Sequence, residues 1–307
     1  MRLLFAGTPQ VAVPALEALI AAGFDVVGVL TRPDAPVGRK RVLTSSPVAL
    51  RAEELGLPVL KPKKLDSEAQ AQIAALSPDA AAIVAYGALI PPAALEIPLH
   101  GWVNLHFSLL PAWRGAAPVQ HALINGDELT GASTFLLEAG LDTGPVYGTV
   151  VEQIRQEDTS SILLERLARS GAVLLSQTMS AIDSGSAVAV PQSGPISLAP
   201  KLGLADGKID FDQPALAISR RIRGVTQEPG AWANLAGQRF KMGPVSLRPD
   251  QRGLLPGELS IVGGKVALVG TGSHAVQLDM VQPSGKKMMA AADWLRGLTA
   301  ADGLRFE

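Results

Sequence analysis

Along the first two hundred positions, short apolar runs alternate with stretches whose apolar residues recur at helical spacing. Arg2–Ala6 and Val26–Thr31 are compact β-rich runs; between them Val11–Ala22 has helical periodicity and stops at Gly23. The alternation returns in Ser46–Leu55, a predicted helix opened by Ser46-Pro47, then in Val59–Leu60 and a helix near Ser67–Leu76. Ala80–Ala85 and Trp102–Phe107 are apolar throughout, like strands buried on both faces of a parallel sheet. Helices are predicted over Ala116–Ile124 and Thr159–Ile182, the second capped by Asp158 or Thr159, and Ser133–Leu137 reads as a strand. This rhythm predicts an α/β, Rossmann-like domain on an open, mostly parallel sheet.

After Gly185 the texture changes. Pro191, Gly194, Pro195, Pro200, Gly203 and Gly207 punctuate a stretch without periodicity, read as a linker over residues 190–207 between a domain at 1–189 and another at 208–307. Beyond it, a helix at Pro214–Arg223 precedes five short runs: Ala231–Leu235, Arg239–Met242, Gly257–Val262, Lys265–Val269 and Ala275–Val281. Gly-rich turns between them predict a small β-barrel, with Asp293–Leu298 as a closing helix.

Two domains suit the length of 307 residues, and 47% hydrophobic content supplies two cores. Zero Cys excludes disulfides, thiolate metal sites and a Cys nucleophile. Neither a secretory signal nor an apolar stretch of spanning length is visible, so a cytoplasmic protein without a membrane segment is expected. The net charge of −1 conceals an asymmetry: residues 1–200 hold 13 Lys/Arg against 18 Asp/Glu, and residues 201–307 hold 14 against 10. A basic C-terminal part hints at a polyanionic partner, although ordinary solvated surface accounts for it equally well.

Ligands of open parallel sheets bind outside the carboxyl ends of the strands. The first such turn, Ala6-Gly7-Thr8-Pro9, lacks the G-x-G-x-x-G pattern, and Pro9 removes a donor, which disfavours a dinucleotide site. Trp102–Phe107 delivers Asn104 and His106 on one face at the end of a buried strand. Asp142, in Gly140-Leu141-Asp142-Thr143-Gly144, is expected near the carboxyl end of the strand at Ser133–Leu137. Convergence of the three would supply an amide donor, a titratable acid/base and a carboxylate to orient it. On these residues alone, Asn104 and His106 also suit a satisfied structural pair, Asp142 a turn former, and Arg39–Arg41 a solvated surface run.

Asn104-Leu105-His106 with Ser108-Leu109-Leu110-Pro111, then Arg114-Gly115-Ala116-Ala117-Pro118 and Gly140-Leu141-Asp142-Thr143-Gly144, resemble folate-dependent formyltransferases. The resemblance runs from Phe5-Ala6-Gly7-Thr8-Pro9 to Gln282-Pro283-Ser284-Gly285-Lys286-Lys287, and the basic loop with the second domain narrows it to the tRNA-acting branch. It implies transfer of a formyl group from 10-formyltetrahydrofolate, without a metal, to the methionine amine of initiator methionyl-tRNA. It also implies Asn104, a protonated His106 and Asp142 as catalytic residues, Asp142 favouring the charged His106. Ser108, Leu109, Leu110 and Pro111 are implied as the folate-contacting segment, Arg39, Lys40, Arg41 and Lys201 as tRNA contacts, and an OB-like domain that holds the tRNA. Lys201 follows Leu198-Ala199-Pro200 where many relatives have Tyr-Ala-Glu, a departure that leaves its local geometry open. A monomer is expected. Formylation of a small amine, such as a sugar nucleotide, and a non-catalytic RNA-binding protein are the competing readings; the basic loop and the intact triad count against them.

Overall fold

In a computed structural model of the chain, residues 1–38, 41–298 and 303–307 are described. The strands are β1 (Arg2–Gly7), β2 (Asp25–Leu30), β3 (Ala35–Val37), β4 (Val42–Thr44), β5 (Val59–Leu60), β6 (Ala80–Val84), β7 (Trp102–His106), β8 (Leu129–Leu136) and β9 (Val146–Gln153). All but β3 and β4 form one seven-stranded sheet in the order β5-β2-β1-β6-β7-β8-β9, and β3 and β4 pair as a separate hairpin. The first five strands in that order are parallel, and β8 and β9 are antiparallel additions. The order reverses between β1 and β6, the switch point where such sheets open a crevice. β6 is buried along its whole length, which is why its sequence is an unbroken apolar run.

Helices α1 (Val13–Ala21), α2 (Pro47–Glu54), α3 (Ser67–Ala75), α4 (Pro92–Leu95), α5 (Pro118–Asn125) and α6 (Ser160–Asp183) connect the strands. Ser46 Oγ accepts from Ala49 N at 3.0 Å and Pro47 occupies the first turn, the start signal that Ser46-Pro47 announces. Asp66 caps α3 in the same way, accepting from Ala69 N at 3.1 Å. Sequence pattern places most of these elements; it misses the β3–β4 hairpin, α4 and β9.

The chain forms two compact units: Met1–Pro118 with Leu129–Gln153 and Leu164–Ala199, and Val119–Glu128 with Ile154–Leu163 and Pro200–Glu307. The second contains α7 (Ala215–Gly224), α8 (Ala291–Arg296) and strands β10 (Ala231–Leu235), β11 (Gln238–Met242), β12 (Val245–Arg248), β13 (Leu259–Val262), β14 (Val266–Val269), β15 (Ala275–Leu278), β16 (Met280–Gln282) and β17 (Met289–Ala290). They make two four-stranded sheets, β10-β11-β16-β17 and β12-β15-β14-β13, in a small β domain. Five expected strands are thus eight. The run Ala275–Val281 breaks at Asp279 and passes from one sheet to the other, which periodicity alone cannot reveal. The core is aromatic: Phe240 packs on Trp294 and Phe306, and Phe306 on Phe211. Among the described residues no helix is long and apolar enough to cross a membrane.

Candidate active site

β7 carries Asn104 and His106 on one face, as their spacing requires. Asn104 is half-buried, paired in register with Ile83 on β6 and Phe135 on β8; His106 lies opposite Ser133. The expectation for Asp142 needs correcting in its reason. β8 runs against β7, with Leu136 opposite Val103, so the carboxyl end of β8 lies at the opposite end of the sheet from His106. The Gly140–Gly144 loop instead folds back, and Asp142 Oδ2 comes to 3.6 Å from His106 Nδ1. The same carboxylate oxygen accepts from Gly115 N at 2.7 Å. Both turns demand special backbone: Asp142 has φ 50°, and Gly115 has φ 123° with Ala199 O 2.7 Å from where a Cβ would stand.

His106 Nε2 lies 2.9 Å from the carbonyl of Trp113, an arrangement in which Nε2–H donates. The ring also meets Phe135 edge-on, with centroids 6.4 Å apart. Burial pushes the imidazole below its ordinary pKa, while the Asp142 charge and the Trp113 carbonyl act the other way. Desolvation and the Asp142 charge thus pull the imidazole in opposite directions, desolvation being the larger, while both ring nitrogens face oxygen acceptors.

Ser108–Pro111 follows β7 directly. Ser108 is fully buried, its hydroxyl donating to Ala112 O at 2.5 Å, whereas Leu109 and Leu110 are partly exposed. Ser133, which sequence reasoning did not single out, pins this loop: its hydroxyl donates to Ser108 O at 2.7 Å and accepts from Leu110 N at 3.2 Å. Leu109 is seated over Gly131, where any Cβ would lie 2.5 Å from its side chain. The result is a rigid ledge of two leucines beside His106, with backbone polar groups between them. Those residues suit a folate, whose pterin needs both apolar faces and amide-like hydrogen bonds.

Arg41 is exposed in the turn of the β3–β4 hairpin, at φ 49°; Arg39 and Lys40 lie outside the described residues. Lys201 is exposed and belongs to the second unit.

The sequence model of the formyl transferase family matches residues 1–179, and that of the formyl transferase C-terminal domain matches residues 201–299. The chain belongs to this family. It is 70% identical over 306 residues to the methionyl-tRNA formyltransferase of Renibacterium salmoninarum, covering 100% of this chain and 99% of the relative. The fold is shared at 18% identity and TM-score 0.69 with an N-formyltransferase from Helicobacter canadensis in complex with folinic acid and dTDP-3-aminofucose, over 92% of this chain and 98% of that one. HypX from Aquifex aeolicus in complex with tetrahydrofolic acid gives TM-score 0.64 at 14% identity over 96% of this chain, which spans 46% of that longer protein.

Sequence reasoning also missed the groups that lock the family motifs together. Gln192 Oε1 accepts from Arg114 Nη2 at 2.6 Å and from its Nε at 3.1 Å. Its Nε2 donates to Asp142 O and Gly144 O, both at 2.8 Å. Ser197 Oγ accepts from Trp113 N at 2.8 Å, and Arg114 pairs through its backbone with Ser197 and Ala199. All three belong to the punctuated stretch after Gly185, where no local pattern marks a function.

Proposed function

We propose that this formyltransferase moves the formyl group of 10-formyltetrahydrofolate to the α-amino group of methionine on initiator methionyl-tRNA, giving the formylated aminoacyl-tRNA used to start translation. The observation that carries the reading is the convergence of His106 and Asp142 beside Asn104, in a chain whose whole length is 70% identical to a methionyl-tRNA formyltransferase. A translation enzyme of this kind works in the cytoplasm, and we read it as a monomer. Residues 1–189 carry the catalytic groups, residues 208–307 hold the tRNA, and residues 190–207 join them while bracing the site through Gln192 and Ser197.

The bound folate supplies the activated formyl group. On the protein side, the ledge of Ser108, Leu109, Leu110 and Pro111 holds and orients it. The Asn104 amide is the donor for the oxygen on which negative charge develops, with the His106 ring beside it. The pair formed by His106 Nδ1 and Asp142 Oδ2 is the proton-accepting end of the site. It takes the proton released by the attacking amine, holding it as an imidazolium beside a carboxylate, and returns it to the departing nitrogen. Burial, which opposes a standing charge on His106, suits a pair that takes up its proton in the course of the reaction. Arg39, Lys40, Arg41 and Lys201 contribute tRNA contacts, Arg41 from an exposed hairpin turn suited to phosphate and to a terminal base.

The test is a formyl-transfer assay comparing charged initiator tRNA, free methionine and small amines. Transfer to the tRNA alone is expected. Transfer only to a small amine would overturn the substrate assignment while leaving the catalytic group in place.

A further inference from the structure

The edge of the sheet that carries His106 continues well beyond it. β5, β2, β1 and β6 all run parallel to β7, so the loops that follow them rise from that same edge. After β2 comes Thr31-Arg32, after β6 Ala85-Tyr86-Gly87, and after β5 the basic run Lys61-Pro62-Lys63-Lys64. β2 stands three strand steps from β7 in the order β2-β1-β6-β7. At the usual strand spacing that is roughly 14 Å.

Three features give this stretch of the edge its chemistry. Arg32 is half-buried and tethered: its Nη1 donates to Lys63 O at 3.0 Å, which ties the loop after β2 to the basic run. Beside it the Tyr86 hydroxyl is buried without a hydrogen-bond partner among the described residues. Burial pushes the phenol's pKa up, and the neighbouring Arg32 guanidinium acts the other way. Two donor groups thus meet with no acceptor supplied for them. The charges are uneven as well. Lys61 is neutralised by Asp34 and Glu53 at 3.0 and 3.2 Å, whereas among the described residues Arg32, Lys63 and Lys64 have no acidic partner within 4.0 Å. Lys63 and Lys64 are exposed, as is Leu89 in the loop after Tyr86. In the other direction from His106, β8 and β9 carry exposed Leu129 and Val151, which are uncharged.

We propose that Arg32, Lys63 and Lys64 hold the glutamate tail of the folate, and that the site favours donors whose tail carries several γ-linked glutamates. The inference rests on the formyl-transfer reading above and extends its donor site along the sheet edge. With the pterin on the Ser108–Pro111 ledge and the reacting nitrogen at His106, the benzoyl-glutamate has to leave along the edge in one direction or the other. The direction of β6, β1 and β2 is the one that offers unpaired cations. Roughly 14 Å is a distance that an extended benzoyl-glutamate covers, and exposed Leu89 suits its apolar ring. Each further glutamate adds a carboxylate where Lys63 and Lys64 stand. Such contacts hold the donor and leave the chemical step untouched.

The test compares 10-formyltetrahydrofolate bearing one glutamate with the form bearing three, in steady-state formylation of initiator methionyl-tRNA by the parent and by R32Q/K63Q/K64Q. The parent is expected to show a KM at least about tenfold lower for the triglutamate, a preference that shrinks as salt is raised. The variant should bring the two KM values within about twofold of each other, with kcat and the KM for the tRNA unchanged. The conservative set R32K/K63R/K64R should restore the preference. A parent without the preference, or a variant that keeps it, would overturn the proposal. So would a variant in which only the KM for the tRNA rises, since the cluster would then be a nucleic-acid contact. If the triple variant loses its fold, K63Q/K64Q, which alters exposed side chains alone, is read by the same outcomes. A parent chain that formylates no methionyl-tRNA would sink the functional reading instead. Equilibrium binding of the two folates to parent and variant would then decide the tail site: a triglutamate preference lost in the variant upholds it, and an absent or retained preference overturns it.

Discussion

His106 and Arg32 are both cationic or potentially so, yet the molecule treats them in opposite ways. His106 is buried with a carboxylate 3.6 Å away and a carbonyl on its other nitrogen, and burial opposes its charge. Arg32 is half-buried, permanently charged, and has a phenol beside it instead of an acid opposite it. Where a proton must move, removing water strengthens each local interaction and lets the charge of the group change during the reaction. Where a polyanion must be held, the charge has to be constant and unpaired, and solvent access is what lets it act over a Debye length. The two regions therefore should respond to different perturbations: the first to geometry and pH, the second to salt.

The sharpest way to break that contrast is His106→Ala. It should lower kcat by about 10²–10⁴ with the KM for tRNA nearly unchanged, measured in the formylation assay. A large KM effect with kcat intact would place His106 among the binding groups. Asp142→Asn should follow at about 10²-fold in kcat, because the amide keeps a hydrogen-bonding partner for Gly115 but cannot stabilise the imidazolium. Gln192→Ala, which removes the clamp on Asp142 and Gly144 without touching substrate, should reduce kcat by about tenfold. A shift of its pH–rate profile relative to the parent would separate loss of Asp142 positioning from general loosening. Ser133→Ala should destabilise the fold by about 1 kcal/mol in denaturant unfolding and raise the KM for the folate, since it frees the Leu110 N–H and the Ser108 carbonyl.

The smallest effect is on stability against pH. A buried His106 whose pKa lies below its ordinary value of 6.5 binds fewer protons folded than unfolded. Its contribution is therefore complete above pH 6.5 and is lost as pH falls from there through the depressed folded value. His106→Gln should flatten that part of the melting-temperature profile, with no comparable change for R32Q.

Much of the first unit is legible because its strands are buried on both faces and its helices have local signals: Ala80–Ala85 reads as an apolar run and Ser46-Pro47 as a helix start. β9 escapes because it edges the sheet and its residues are only half-buried or exposed, so its pattern does not stand out. Likewise Ala35–Val37 and Val42–Thr44 consist of exposed residues, with Pro36 within the first, and their pairing leaves no periodic trace. Asn104, His106 and Asp142 are recognisable by motif, but strand direction is not written in the motif. The antiparallel turn of β8 and the backward fold of the Asp142 loop had to be seen. Gln192 and Ser197 are the deeper omission. Their partners lie 50 and 84 residues away, and nothing local records contacts of that span.

The lacing of Arg114 and Trp113 to Ser197 and Ala199 also bears on the order in which the chain is made. All seven strands of the sheet lie before Ser160, so the sheet can assemble as soon as that much chain has left the ribosome. The loops around His106 and Asp142 cannot be fastened until some forty further residues have been synthesised, as the positions of Gln192 and Ser197 require. A nascent chain therefore carries a finished scaffold before it carries a finished site.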